Sequence, residues 1–346
     1  MIEFDDIKNI LIINTAFLGD VALSVYLCDK VKMLYPDAKL SFITTPQAAP
    51  LVKTFESVDN IVAFDKRNSH RGLKGLNLIA TKFKESHPDI ILAPHRSFRT
   101  AYLVNRLNSR CSIGFKSSSL SFLYKIRVQY KPHLHEINRN LSLLTPLFDK
   151  TFAYNNEKAA LTFTEEDKNY VHNLVLTNKL YDFVCIAPGS VWETKKWKKE
   201  HFYELIKLIA QNGKKSVLIG GENDHQLCEE IKSNDNAVNL AGKLTIPQSM
   251  FLMTYAKAIV SNDSAPTHFG GLTRTPVVTI FGPTISEFGF APHGENDIIA
   301  EVEGLKCRPC AIHGGNKCPI GTHECMVKIT PEYVLSLLKK IWNKNR

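Results

Sequence analysis

Residues Ala258–Thr284 read AIVSNDSAPTHFGGLTRTPVVTIFGPT, and the fold follows from how this stretch divides. Ala258–Ser261 is a short apolar run that ends in polar residues, the pattern of a buried strand. Asn262-Asp263-Ser264-Ala265-Pro266 is a helix start, with oxygen-bearing cap candidates before a proline that loses nothing in a first turn. Pro276–Phe281 is a second buried strand, closed by the turn Gly282-Pro283-Thr284. Strand, helix N-terminus and strand repeat in open α/β sheets, which bind ligands at the carboxyl ends of their strands. The unpaired N–H groups from Ser264 onward would there favour an anion. A capped helix with no ligand is the alternative.

Outward from this stretch the same unit recurs. Ile7–Asn14 (IKNILIIN) is a near-continuous apolar run, as in a strand covered on both faces. The loop Thr15–Gly19 follows, and Asp20 opens a helix predicted to reach Tyr35. Strands over Ala38–Thr44, Asn60–Phe64, Asp89–Ala93 and Ser112–Phe115 alternate with helical segments. The pattern weakens over Ser117–Lys131. Polar residues Asp149–Lys158 mark a domain boundary. The second half repeats the scheme, with strands at Asp182–Ala187, Lys215–Ile219, Ala237–Leu240 and Asp297–Val302, and a closing helix at Pro331–Lys344. Alternation of this kind predicts an α/β protein of two doubly wound parallel sheets.

The 346 residues suffice for two ordinary domains, and 44% apolar with 22% charged residues describes a globular chain. No apolar run nears the roughly 18 residues of a spanning helix. The acids of MIEFDD before the first apolar run do not read as a secretory signal. The expectation is a cytoplasmic protein. Its charge is uneven. Between Lys66 and Lys131 stand 14 Lys and Arg against Glu85 and Asp89, a net +12 in a chain of +9. Such a window points to an anionic partner, namely a nucleic acid, a membrane surface or an acidic small molecule, or else to a solvated face.

Loops after strands of one parallel sheet converge at one edge. In the second half these are Ala187–Trp197, Gly220–Asp224 and the opening stretch. Gly189 permits close backbone approach, Ser190 offers a hydroxyl, and a lysine supplies a point charge for phosphate. An acid in the second loop could accept from ribose hydroxyls. Trp192 and Trp197 read equally as packing or as ligand stacking. Neither GxGxxG nor GxxxxGK[ST] occurs, which argues against a dinucleotide dehydrogenase and a phosphate-cleaving NTPase. In the first half Asp20 is a helix cap, a general base, or both. His95, Arg96 and Arg99 follow the fourth strand, where paired arginines suit carboxylate or phosphate. Cys307, Cys310, Cys318 and Cys325, spaced C-x2-C-x7-C-x6-C, can hold zinc or iron, with free thiols or a labile disulfide as alternatives.

NTAFLGD, PGS-x4-KKW, NDSAPTH, FGPT and the LKCRPC…CP…CM tail, in that order, resemble the ADP-heptose:lipopolysaccharide heptosyltransferases of glycosyltransferase family 9, and the tail resembles type II enzymes. The resemblance runs through nearly the whole chain. It implies a GT-B fold: an acceptor-binding domain over 1–158 and a nucleotide-sugar domain over 159–330 facing each other across a cleft, with helix 331–346 crossing back to the first. It implies inverting transfer of heptose from ADP-heptose without a metal, with Asp20 deprotonating the acceptor hydroxyl. Gly189, Ser190, Lys195, Asp224, Asp263, Ser264, Ala265 and His268 would bind the donor, with Glu222 close enough to compete with Asp224. Many members carry T-G or S-G where Ser264-Ala265 stands here. His95, Arg96 and Arg99 would meet the lipid A–Kdo/heptose acceptor, whose phosphates account for the basic window without nucleic acid. The enzyme would then sit peripherally on the inner face of the cytoplasmic membrane. A protein (autotransporter) heptosyltransferase, another nucleotide-sugar transferase, and a non-catalytic nucleotide-sugar or nucleic-acid binder are the competing readings.

Overall fold

The continuous apolar runs become strands because only a position covered on both faces hides every side chain of an extended segment. In the computed structural model, which describes residues 6–83, 85–232 and 235–344, β1 (Asn9–Ile13), β2 (Lys39–Thr44), β3 (Asn60–Ala63), β4 (Ile90–Ala93), β5 (Cys111–Phe115) and β6 (Ile126–Val128) form one six-stranded sheet ordered β3-β2-β1-β4-β5-β6. The second six-stranded sheet comprises β7 (Phe183–Ala187), β8 (Lys215–Leu218), β9 (Ala237–Asn239), β10 (Ala258–Asn262), β11 (Val277–Phe281) and β12 (Ile298–Glu301), ordered β12-β11-β10-β7-β8-β9. Every named pairing is parallel. Numbered from its own first strand, each sheet reads 3-2-1-4-5-6. The GT-B expectation of two Rossmann-like units is met. Lys84 of the basic window lies outside the described residues, as do residues 1–5 and 345–346 of the expected domains.

Strands β7, β10 and β11 are buried at every residue. Each fully buried Val, Leu or Ile contributes about 1.5–3 kcal/mol, so these central strands anchor the second unit. β6 escaped the sequence reading because it is a short edge strand. Its Ile126-Arg127-Val128 is only half covered, which leaves no apolar run to detect. The helix predicted from Asp20 to Tyr35 is broken into Leu18–Ala22 and Val25–Leu34. Asn14, buried at the end of β1, donates from Nδ2 to the Asp20 carbonyl (3.3 Å) and to Ser24 Oγ (2.8 Å), and Ser24 Oγ donates to the same carbonyl at 3.2 Å. Those side chains take the place of helical partners and step the chain sideways.

The chain divides between Thr162 and Phe163. Residues 159–161 stay with the first unit because Ala160 N–H donates to Asp29 Oδ2 at 2.9 Å, Glu56 N–H donates to Ala160 O at 3.1 Å, and Leu161 bridges Phe55. The helix that follows, Glu165–Thr177, is capped by Thr164, whose Oγ1 accepts from Asp167 N–H at 3.1 Å. The Asp167 carboxylate accepts from the same hydroxyl at 2.7 Å rather than from Thr164 N–H, so the cap lacks the reciprocal bond of a capping box. The closing helix Pro331–Lys344 buries Val334, Leu337, Leu338 and Ile341 in one core with Phe202, Leu205 and Ile209 of the second unit.

Candidate active site

The loops after β7, β8 and β10 do meet at the carboxyl edge of the second sheet. Asn262, the last residue of β10, pins the β7 loop at both ends: its Nδ2 donates to Pro188 O (2.8 Å) and its Oδ1 accepts from Trp197 N–H (3.1 Å). Trp197 is buried, and its Nε1 donates to Ile329 O at 2.9 Å. That settles this tryptophan as packing. Between the pins lies Lys195, whose Nζ stands 2.6 Å from Asp263 Oδ2, with the two side chains only 11% and 8% exposed. Thr284 Oγ1 donates to the same carboxylate oxygen at 2.6 Å. Thr284 ends the quoted FGPT, and a single Thr after a Gly-Pro turn carries no sequence signal of its own.

Ser264 precedes the helix Ala265–Thr273, yet its side chain makes no cap bond. Its hydroxyl is directed to Gly189 O (3.4 Å) and Ser261 Oγ (3.3 Å). The Ser264 hydroxyl therefore leaves the positive end of this helix uncapped, a position where an anion is favoured. His268, also on this helix, is buried.

Asp224 and Glu222 separate cleanly. The Asp224 carboxylate accepts from Gly221 N–H at 2.9 Å and packs under Gly189, where any Cβ would collide with it. Asp224 thus shapes the loops. Glu222 lines an open cavity of about 410 Å³ together with His225, Gln226, Ala241, Gly242 and Lys243. Gly242 sits at φ +75° with a would-be Cβ 3.0 Å from Glu222 Cα, so only glycine fits under that wall.

In the first unit Asp20 is the third residue of its helix, and Phe17 holds the cap position. The expectation of Asp20 as N-cap is corrected: the cap lies three residues earlier, at Phe17, and Gly19 is inside the helix. A carboxylate in a first turn still faces the helix's positive end. The sequence reading missed Glu136 and Arg139. Arg139 Nη1 donates to Glu136 Oε2 at 2.9 Å and its Nε to Lys131 O at 3.2 Å. Burial pushes Glu136 up to about 7, the charge of Asp20 adds to the push, and Arg139 and Arg96 oppose it. The Arg96 guanidinium lies 4.0 Å over the Tyr130 ring. Spacing of i and i+3 on a predicted helix was the available signal.

His95 is tied in place, with Nδ1 2.9 Å from Thr15 Oγ1 and 3.3 Å from Thr100 Oγ1. Lys66 Nζ donates to Thr15 O at 2.8 Å. Burial, then Lys66 and Arg96, lower the imidazole from 6.5 to about 4. A lowered basic group costs stability in acid. The unfolded chain takes the proton first, so stability is full above pH 6.5 and falls as pH drops toward 4. Between pH 7 and 4.5, wild type should lose on the order of 2 kcal/mol more than His95→Gln in urea unfolding, after discounting for partial exposure. Equal losses would show that His95 does not set the acid limb. Arg99 lies exposed on the helix Phe98–Leu107, and its charge helps lower the Lys66 amine after burial.

The tail cysteines are not gathered as ligands. Among the described residues no group of three or more His, Cys, Asp or Glu side chains is placed to hold a metal ion. Cys310 Sγ donates to Cys307 O at 3.2 Å, Cys318 Sγ accepts from His323 N–H at 3.4 Å, and Cys325 is buried. The expectation of zinc or iron at Cys307, Cys310, Cys318 and Cys325 is therefore unsupported, and all four are free thiols. Among the described residues no helix is long and apolar enough to cross a membrane.

Two Rossmann-like parallel sheets, each ordered 3-2-1-4-5-6, define a GT-B-like α/β architecture. The model of glycosyltransferase family 9 (heptosyltransferase) matches residues 79–316, and the chain belongs to this family and is a glycosyltransferase. It is 23% identical over 356 residues to lipooligosaccharide heptosyltransferase 2 of Haemophilus influenzae, covering 97% of this chain and 100% of that one. Its fold is similar to the family 9 glycosyl transferase of Veillonella parvula (TM-score 0.87, 18% identity, 99% of both chains). It is also similar to Escherichia coli ADP-heptose LPS heptosyltransferase II (TM-score 0.79, 22% identity, 98% of this chain and 99% of that one).

Proposed function

We propose that this protein transfers L-glycero-D-manno-heptose from ADP-heptose to the inner core of lipopolysaccharide, inverting the anomeric carbon. The observation that carries the reading is the Lys195–Asp263 pair, buried beside a helix N-terminus whose cap side chain is turned away. A diphosphate can take the ammonium's outward protons and the helix N–H groups together, and the fixed positive charge stabilises the ADP leaving group as its bond to heptose breaks. The printed names of the relatives, which specify ADP-heptose and lipopolysaccharide or lipooligosaccharide, support this donor and acceptor.

Roles divide between the units. The second binds the donor through Gly189, Ser190, Lys195, Asp263, Ser264, Ala265 and His268. The first supplies Asp20, which accepts the proton of the acceptor hydroxyl as that oxygen attacks the anomeric carbon. Arg96 and Arg99, with Lys66, offer positive charge to the phosphates of a Kdo-bearing acceptor, and His95 braces the loop that carries Asp20. The basic window would hold the enzyme against an anionic inner leaflet.

In this reading Glu222, which lines the open cavity, accepts from the ribose hydroxyls in place of Asp224, whose carboxylate is engaged by Gly221 N–H. Glu222→Ala should raise the KM for ADP-heptose about tenfold with little change in Tm, whereas Asp224→Ala should lower Tm first, by several degrees. Steady-state kinetics against ADP release, beside calorimetric melting, check both; the reverse pattern would return the ribose to Asp224. Turnover with a different nucleotide sugar, and none with ADP-heptose on any core acceptor, would overturn the functional reading while leaving the fold.

A further inference from the structure

A short chain of polar contacts, Lys195 to Asp263 to Thr284, forms the floor of the donor site, and one segment holds it at both ends. At the lysine end Thr194 is buried and bound by residues more than a hundred positions away. Gly315 N–H donates to Thr194 Oγ1 at 2.8 Å, while Thr194 Oγ1 and N–H each stand 3.0 Å from Gly315 O. His323 Nε2 lies 2.8 Å from Thr194 O. A carbonyl only accepts, so Nε2 carries the hydrogen. Gly314, at φ +86°, runs so near that a Cβ would stand 3.2 Å from Lys195 Cγ. At the other end Arg308 Nη2 donates to Thr284 O at 2.7 Å, and Cys310 N–H donates to Pro283 O at 2.9 Å.

Lys195 itself lies outside the sheet in a single 3-10 turn, Glu193–Lys195, closed locally by its N–H to Trp192 O at 3.0 Å. No ladder fixes it. Its backbone position comes from the Asn262 pins and from these tail contacts. We propose that residues 308–323 are a clasp that holds Lys195 ready for the donor diphosphate, with His323 and Thr194 as positioning residues. This rests on the reading of Lys195 as a phosphate ligand. It also gives the cysteine-bearing tail a task that needs no metal. The clasp works by pre-organisation: a lysine already held in place loses less freedom when the anion arrives, which is worth about tenfold in affinity.

The test is calorimetric binding of ADP, with donor KM and kcat, on wild type, His323→Ala, His323→Gln, Lys195→Ala and the His323→Ala/Lys195→Ala double variant. His323→Ala should weaken ADP binding and raise donor KM by about five- to tenfold, with kcat within about twofold. His323→Gln, which keeps an N–H at the same reach, should recover to within about twofold of wild type. In the double variant the His323 effect should vanish, because a residue acting through Lys195 has nothing left to position. If His323→Ala melts early, Thr194→Val removes the hydroxyl contacts from the other side and should weaken ADP about threefold. Wild-type ADP binding in His323→Ala and Thr194→Val, beside weakened binding in Lys195→Ala, would overturn the clasp alone. Effects that multiply fully in the double variant would also overturn it. Undiminished ADP binding in Lys195→Ala would overturn the reading of Lys195, and the clasp with it.

Discussion

Replacing Asp20 with asparagine should lower heptose transfer by about 10²–10⁴-fold while ADP binding stays within about twofold of wild type. Asparagine matches the shape of aspartate and keeps the third position of the helix Leu18–Ala22, whose carbonyl at residue 20 is already held by Asn14 and Ser24. It cannot accept the acceptor's proton. Loss in kcat with intact donor affinity is the signature of a base supplied from outside the donor site. Relief of the Asp20 charge should also make Glu136 easier to ionise, since that charge is the second largest cause of its raised pKa after burial. Single-turnover rates with saturating ADP-heptose, beside calorimetric ADP binding, check the first outcome. An Asp20→Asn enzyme that transfers as fast as wild type would remove Asp20 from the chemistry.

Lys195→Ala should be the most damaging change in the second unit, to both stability and donor binding. Its partner Asp263 is 8% exposed and would keep only the Thr284 hydroxyl and its backbone setting. Removing one member of such a buried pair costs about 3–5 kcal/mol, because a desolvated charge is left without its counter-ion. The double variant Lys195→Met/Asp263→Leu removes both charges and should regain most of that stability. It should not regain ADP binding, which needs the ammonium. Denaturant unfolding and ADP titration of the same three proteins separate these outcomes. Recovery of both properties in the double variant would show the pair to be structural only.

The strands were legible because most lie buried on both faces, so their apolar runs are continuous, as at Ile259-Val260 and Val277-Val278. The loops at the second sheet's edge were legible too, since parallel strands leave their functional loops on one side. What the sequence could not settle were choices made by side-chain packing. Asp224 and Glu222 are two residues apart, and only the collision of a Gly189 Cβ with Asp224 decides which acid shapes the loop. Asn262 reads as a cap candidate, yet it reaches back more than sixty residues to hold both Pro188 and Trp197. Contacts that long carry no local signature. The same holds for Thr194 and His323. Glu136 and Arg139 carry an i, i+3 signature, but the packing of their helix on Val25–Leu34 that buries them does not. The cysteine spacing suggests a metal, but the Cys310 and Cys318 sulfurs are bonded to nearby backbone groups.

The most direct measurement is the product itself. Purified protein is incubated with ADP-heptose of known anomeric configuration and a Kdo-bearing core acceptor, with or without a first heptose, and the product is analysed by mass spectrometry and by NMR of the new anomeric centre. The account predicts one added heptose per acceptor, one ADP released per transfer, and inversion of the donor's anomeric configuration, all lost in Asp20→Asn. Retention of configuration, or heptose transfer to none of these acceptors with ADP-heptose intact, would contradict it.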